Sequence, residues 1–295
     1  MTTPLPEIGE AEAQGRVAAI YADIRETQKL GLVNLIWRHL ATKPDALEWT
    51  WNRLRPVYAS GVAAREAVAL AESLLLPKLA PVPRAAMSLL GLTEKDRTTI
   101  LSLLETYNRG NGLNLIALSA LCAVPRSSAG DTVGNPAPLT DPPPPMPALD
   151  TLAPEVQTLI LEINRFGTRG AKTRVIASLY RHLGLWPGYL AFAWAQLAPS
   201  AIDGTLDEAV DGLREAARPY AQRAATAIDT SVTASSPETQ RFAEHAIEYF
   251  LATASRFFSR ARMRTRSLDT IWALFMPTTR RRRRASASIV FERES

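Results

Sequence analysis

Residues 180–204, YRHLGLWPGYLAFAWAQLAPSAIDG, decide the fold of this chain, because residues 37–61, WRHLATKPDALEWTWNRLRPVYASG, are a second copy of them. The two stretches align without a gap at an offset of 143. Nine positions are identical: Arg38/Arg181, His39/His182, Leu40/Leu183, Pro44/Pro187, Leu47/Leu190, Trp51/Trp194, Leu54/Leu197, Pro56/Pro199 and Gly61/Gly204. Trp37/Tyr180 and Trp49/Phe192 pair aromatic with aromatic. A long-period repeat governs how every other feature is read. It predicts two tandem helical repeats packed as a pseudo-dimer around a pseudo-twofold axis.

Outward from the repeat, helical signals dominate. Val17, Ile20, Tyr21 and Ile24 recur at helical spacing over Gln14–Leu30. Asn34–Leu40 reads as a helix, Pro44 starts the next at its first position, and that helix stops near Pro56. Helices are also predicted over 62–76, around Met87 and Leu90, and from the Thr93/Asp96 capping pair through Tyr107. The last of these is expected to break at Asn108-Arg109-Gly110-Asn111-Gly112 and resume over Leu113–Leu121. Further helices are predicted over 153–165 and Leu206–Ala227, and from the Ser236-Pro237-Glu238 start through Tyr249 and Phe257 as far as the Arg-rich segment. Nothing alternates with period 2, so the fold class is all-α. Eight of the 21 prolines fall in residues 125–150, which predicts an extended, semi-rigid linker. The division is a first repeat over 1–124, the linker over 125–150, a second repeat over 151–276 and a basic tail over 277–295. Residues 1–14 are expected to be poorly ordered.

Composition narrows the class. The single cysteine, Cys122, excludes an internal disulfide framework and a Cys-based zinc site, and suits a reducing cytoplasm. The most apolar stretch, Leu113–Val124, is too short for a bilayer, and acids at Glu7, Glu10 and Glu12 do not suit a signal peptide. From Arg256 onward there are 11 arginines against three acids, while the remainder holds 23 bases and 26 acids, so only the tail is basic. The Arg280–Arg284 run is a candidate for nucleic acid, anionic lipid or phosphorylation, but a disordered soluble tail is the favoured reading.

No P-loop, GxGxxG, HExxH or GxSxG occurs, and no cofactor or metal ion is called for. Of three histidines, His39 and His182 are repeat equivalents, either packed within their helices or brought to a shared cleft as base or ligand. Arg38 and Arg181 are the natural pair for a carboxylate, unless they bridge to acids of the chain itself. The Asn108–Gly112 break either exposes backbone amides around Asn111 to a water or anion, or is a plain turn.

The duplicated all-helical plan, Tyr107-Asn108-Arg109-Gly110-Asn111, Glu155-Val156-Gln157, and Ala177-Ser178 followed by Trp186-Pro187 together resemble the group I 2-haloacid dehalogenases, also catalogued as halocarboxylic acid dehydrogenases. The resemblance covers residues 17–275. It implies an active site between two repeats, a homodimer, and hydrolysis of both stereoisomers of 2-haloacids. In that family an aspartate activates a water that attacks the halogen-bearing carbon directly, and an asparagine helps to hold the water. By resemblance Asn111 falls on the asparagine and Ser178 on the residue before the aspartate. Leu179 stands where the aspartate belongs. A leucine cannot take a proton, and losing a general base costs roughly 10²–10⁴-fold.

His182, three residues on from Leu179, is the candidate replacement base. The candidate site is therefore Asn111 and His182 as catalytic residues, with Ser178, Leu179, Arg181 and Tyr249 binding a small carboxylate. The competing reading is a non-catalytic protein that holds a small apolar acid. A pocket with Arg181, Asn111 and a free His182 pointing inward favours the enzyme; a collapsed cleft with His182 bonded to a backbone carbonyl favours the binding protein.

Overall fold

The computed structural model of the protein describes residues 5–74, 84–123, 134, 137–166 and 175–251. Among them every regular element is helical. The order is α1 Gly15–Gln28, α2 Leu35–Leu40, α3 Pro44–Ala59, α4 Val62–Ser73, α5 Arg84–Leu89, α6 Glu94–Leu121, α7 Pro154–Arg165, α8 Ser178–Leu183, α9 Pro187–Ile202 and α10 Thr205–Ala224. A last helix, α11, occupies 237–251. The Arg280–Arg284 tail and the remainder of the second repeat beyond 251 lie outside the described residues.

Local structure recurs at the sequence offset. Helices α2 and α8, and α3 and α9, share their boundaries when shifted by 143 residues. Gly61 and Gly204 both turn the chain with positive φ, at 76° and 85°, a conformation glycine adopts without steric cost. The predicted capping pair forms: the Asp96 N–H donates to Thr93 Oγ1 at 3.1 Å and the Thr93 N–H to Asp96 Oδ2 at 2.9 Å. Its equivalent, Ser236, accepts from the Thr239 N–H at 3.1 Å.

Two expectations are overturned by helices that continue. Helix α3 runs through Pro56 to Ala59, and α9 through Pro199 to Ile202. Each proline forfeits one backbone hydrogen bond, but Val57 and Tyr58, and Leu197 and Ala198, stay buried on the turns around it. Helix α6 likewise has no break at Asn108–Gly112. Its glycines serve close packing instead: a Cβ on Gly110 would stand 2.8 Å from Asn34 Oδ1 and 2.9 Å from Leu30 Cδ1. Tertiary contact overrides local propensity there.

Two hydrophobic clusters make the core, and they do not follow the two halves of the sequence. The larger joins α1–α4 and the second half of α6 to Leu213, Ala217 and Ala224 of α10 and to Ala243, Ile247 and Phe250 of α11. The smaller joins Ile100, Leu103, Leu104 and Tyr107 of α6 to α7, α8 and α9. Helix α6 thus spans both, and each half lends helices to the other. Trp37, Trp51 and Tyr58 form the heart of the larger cluster, with Trp37 and Trp51 edge to face at 5.4 Å.

The proline-rich segments are structural. Residues 137–150 are laid along the body as a strap: the Thr140 N–H donates to Lys29 O at 3.3 Å and the Gly31 N–H to Thr140 Oγ1 at 2.8 Å. The amino-terminal arm is ordered from residue 5, contrary to expectation, with the Ile8 N–H donating to Arg38 O at 3.0 Å and Tyr21 Oη to Ile8 O at 2.9 Å. The strap lies so close that a Cβ on Gly31 would stand 2.5 Å from Asp141 O. Gly31→Ala is predicted to destabilise the protein by about 1–3 kcal/mol through that backbone clash. Gly212→Ala in α10, with nothing within 4 Å of the new methyl, should stabilise it by roughly 0.5–1 kcal/mol. Urea midpoints of the two variants check both signs.

Candidate active-site cleft

One face of α6 carries Tyr107, Gly110, Asn111, Asn114 and Leu118, which helical spacing brings into line. Opposite it stand Asn34, Leu35 and Ile36 at the start of α2, Val175, Ala177, Ser178 and Leu179 at the start of α8, and Phe250 of α11. Between them is a cavity of about 60 Å³. The sequence-equivalent positions Ile36 and Leu179 both line it.

The sequence candidates divide. Asn111, Ser178 and Leu179 line the cavity. Arg181 and His182 do not, although both lie just behind it. Tyr249 packs edge to face with Phe250 at 6.4 Å, and Phe250 is the residue that reaches the cleft. One step along the last helix separates the sequence choice from the residue that faces inward.

The charges behind the cleft are organised by Glu7. Its Oε2 accepts from Arg38 Nε at 2.8 Å and its Oε1 from Arg181 Nη1 at 3.0 Å. Arg38 is only 4% exposed. It also donates from Nη1 to Val33 O at 2.6 Å and from Nη2 to Ser178 Oγ at 2.8 Å. Arg181 completes its bonds at Pro147 O of the strap, 3.2 Å from Nη2. Two guanidinium groups thus share one carboxylate, which leaves a net positive charge directly behind Ser178. Glu7, in an arm expected to be loose, carries no motif that would have revealed it.

His182 is held on both ring nitrogens. Nε2 lies 3.0 Å from Pro144 O, which can only accept, so Nε2 carries the proton. Nδ1 then accepts from Tyr107 Oη at 2.7 Å. Burial raises the Tyr107 phenol well above its ordinary range and keeps it a donor. Burial is also the main cause that lowers His182 to about 4, reinforced by the positive charges of Arg38 and Arg181. The imidazole, read from sequence as a candidate general base, is thus neutral with both nitrogens engaged in this structure. Its repeat equivalent also meets a proline carbonyl, but through the other ring nitrogen and at an exposed position, with His39 Nδ1 at 2.8 Å from Pro6 O.

Among the described residues no group of three or more His, Cys, Asp and Glu side chains could hold a metal ion, and no helix is long and apolar enough to cross a membrane. No described residue lining the cavity is acidic.

With this geometry in place, known proteins can be set beside the chain. It matches no protein-family model. A configuration-inverting 2-haloacid dehalogenase of Pseudomonas sp. (strain 113) is 26% identical over 231 residues, 73% of this chain and 74% of the relative. Crystal structures of D-2-haloacid dehalogenase superpose with a TM-score of 0.73. One, a mutant with D-2-CPA, is 17% identical and is matched over 90% of this chain and 96% of its own. Another, with L-LA, is 16% identical over 90% and 97%. The chain is similar to 2-haloacid dehalogenases in sequence and in fold. The structural likeness fixes the shared all-α fold, and the sequence relative supports the family resemblance.

Relative to that family, the imidazole geometry yields a testable pH dependence. The folded protein binds fewer protons at His182 than the unfolded chain between pH 6.5 and 4, so this contribution is complete above pH 6.5 and falls as pH drops toward 4. The loss amounts to about 3 kcal/mol. In His182→Gln, which keeps a neutral donor and acceptor, denaturation between pH 7 and 4 should show a correspondingly shallower decline. An identical decline in both proteins would contradict the buried neutral imidazole.

Proposed function

We propose that the cleft binds a small 2-substituted carboxylate in the manner of a 2-haloacid dehalogenase but does not hydrolyse it. The observation that carries this reading is Leu179, which lines the cavity at 4% exposure where the resemblance puts the water-activating aspartate. The net positive charge of Arg38 and Arg181 over Glu7, relayed by Ser178, suits the carboxylate, because a buried charge needs a counter-charge. Leu35, Ile36, Leu118, Val175 and Phe250 suit a short apolar substituent. His182 bonded to Pro144 O supports binding over catalysis by a relocated base. Asn111 keeps the place of the family's water-holding residue, without a base to use the water.

The same proposal includes the pseudo-twofold packing of repeats 1–124 and 151–276. It is supported by the matched helix boundaries, the paired histidines under proline carbonyls, and Glu7 between the paired arginines. A homodimer in the cytoplasm belongs to it as well.

The decisive assay is halide release from D- and L-2-chloropropionate by the native protein and by Leu179→Asp. No release from the native protein and release from Leu179→Asp at least about 10²-fold above it is the expected result. Turnover by the native protein would overturn the reading, as would turnover abolished by His182→Ala.

A further inference from the structure

Helix α9 is the second copy of α3, yet the two meet their surroundings differently. In the first half α1 covers α3 through ion pairs: Arg16 holds Asp45 and Glu48, and Asp23 holds Arg55, with Arg55 Nε 2.7 Å from Asp23 Oδ2. Asp23 Oδ2 also accepts from Trp51 Nε1 at 2.8 Å, and Trp51 is 1% exposed. At the offset of 143 residues all five of those charges are lost: Leu159 stands for Arg16, Phe166 for Asp23, Gly188 for Asp45, Ala191 for Glu48 and Ala198 for Arg55. Trp194, the copy of Trp51, is 37% exposed, with Phe166 tilted against it at 5.9 Å.

No charged residue occurs between Pro187 and Ile202. Helical spacing sets Pro187, Ala191, Trp194, Ala195 and Ile202 on one side of α9, and all five are exposed, Ile202 by 84%. The outer side of a surface helix ordinarily carries polar and charged residues. An outer side that is apolar from end to end marks a surface that another molecule covers.

We infer that a second copy of this chain covers it, with α9 antiparallel to the partner's α9 about a twofold axis at Ala195. Such an interface sets the same patch against itself, so any charge near the axis would meet its own like, and α9 has none to repel. The small side chain of Ala195 lets the two helices approach closely where they cross. Their ends are complementary in charge. Pro187 and Asp203 lie equally far along the chain on either side of Ala195, about 12 Å at the helical rise, so the antiparallel pair brings the partner's Asp203 to the first turn of α9. That turn carries no acid of its own to meet the positive end of the helix dipole. The inference rests on the homodimer included in the reading above and gives it an interface; carboxylate binding in the cleft does not depend on it.

Sedimentation equilibrium of the full chain tests it. The native protein should be dimeric. Ala195→Arg, which sets two like charges together at the axis, should weaken the dimer at least about tenfold while the far-ultraviolet circular dichroism stays native. Asn52→Arg, the same change at the equivalent exposed position of α3, should leave the dimer intact. In a Cys122→Ser background, which removes the one native thiol, Ala195→Cys should oxidise to a disulfide-linked dimer, because a residue on the axis faces its own copy; Asn52→Cys should not. A native dimer that Ala195→Arg leaves unchanged would overturn the inference and keep the homodimer, with its interface elsewhere. A native monomer would overturn both and leave the face to a different partner. Should Ala195→Arg fail to fold, the cross-link decides: absence of a covalent dimer from Ala195→Cys overturns the inference.

Discussion

The carboxylate of Glu7 is where the two copies of the repeat meet. It lies between Arg38 and Arg181, which occupy the same position in each copy, and through Arg38 it reaches Ser178 of the second copy. Arg38 is too deeply buried to be left without a partner, since an unpaired charge at such a depth costs several kcal/mol. The arm that supplies Glu7 is therefore part of the core seam. Pro6 O and Pro144 O, from the segments leading into each half, then hold His39 by Nδ1 and His182 by Nε2. Fold and cleft are held by the same few polar bonds, and those of Arg38, Arg181 and His182 are buried or half-buried, where solvent screening is weak.

The chemistry of the cleft follows from what those bonds leave over. One positive charge in excess of Glu7 stands behind Ser178, and apolar side chains from both halves close the sides. Nothing among the described lining residues can take a proton from water. Tyr107 is held protonated by burial, and His182 spends both nitrogens on holding it and the strap. On the proposed reading, a cleft of this kind orients and binds a ligand without turning it over.

Much of this fold could be read from the chain because the signals involved are local or repeated. Pro44, Pro187, Thr93 and Ser236 mark helix starts by chemistry confined to one turn, and the repeat supplies each assignment twice. The features that escaped depend on distant partners. The Asn108–Gly112 stretch has the composition of a turn, yet Asn34 and Leu30 packed against Gly110 keep α6 straight through it. Residues 1–14 and 125–150 have the composition of loose or spacer segments, yet their carbonyls and Glu7 meet arginines and histidines far along the sequence. Within the cleft, Asn111, Ser178 and Leu179 were reached through the family resemblance. Asn34, Asn114 and Phe250 were not, because nothing in their neighbours tells which side of a helix will face the void.

The most direct test of this account is to measure stability and propionate affinity together in Glu7→Gln. The substitution keeps an acceptor for one of Arg38 and Arg181, turns a donor amide toward the other, and removes their shared negative charge. The account predicts opposite movements: a lower melting temperature, because the seam loses its counter-charge, and tighter anion binding, because the positive charge behind Ser178 grows. A stability loss accompanied by unchanged or weaker binding would show that the Glu7 seam does not set the charge of the cleft.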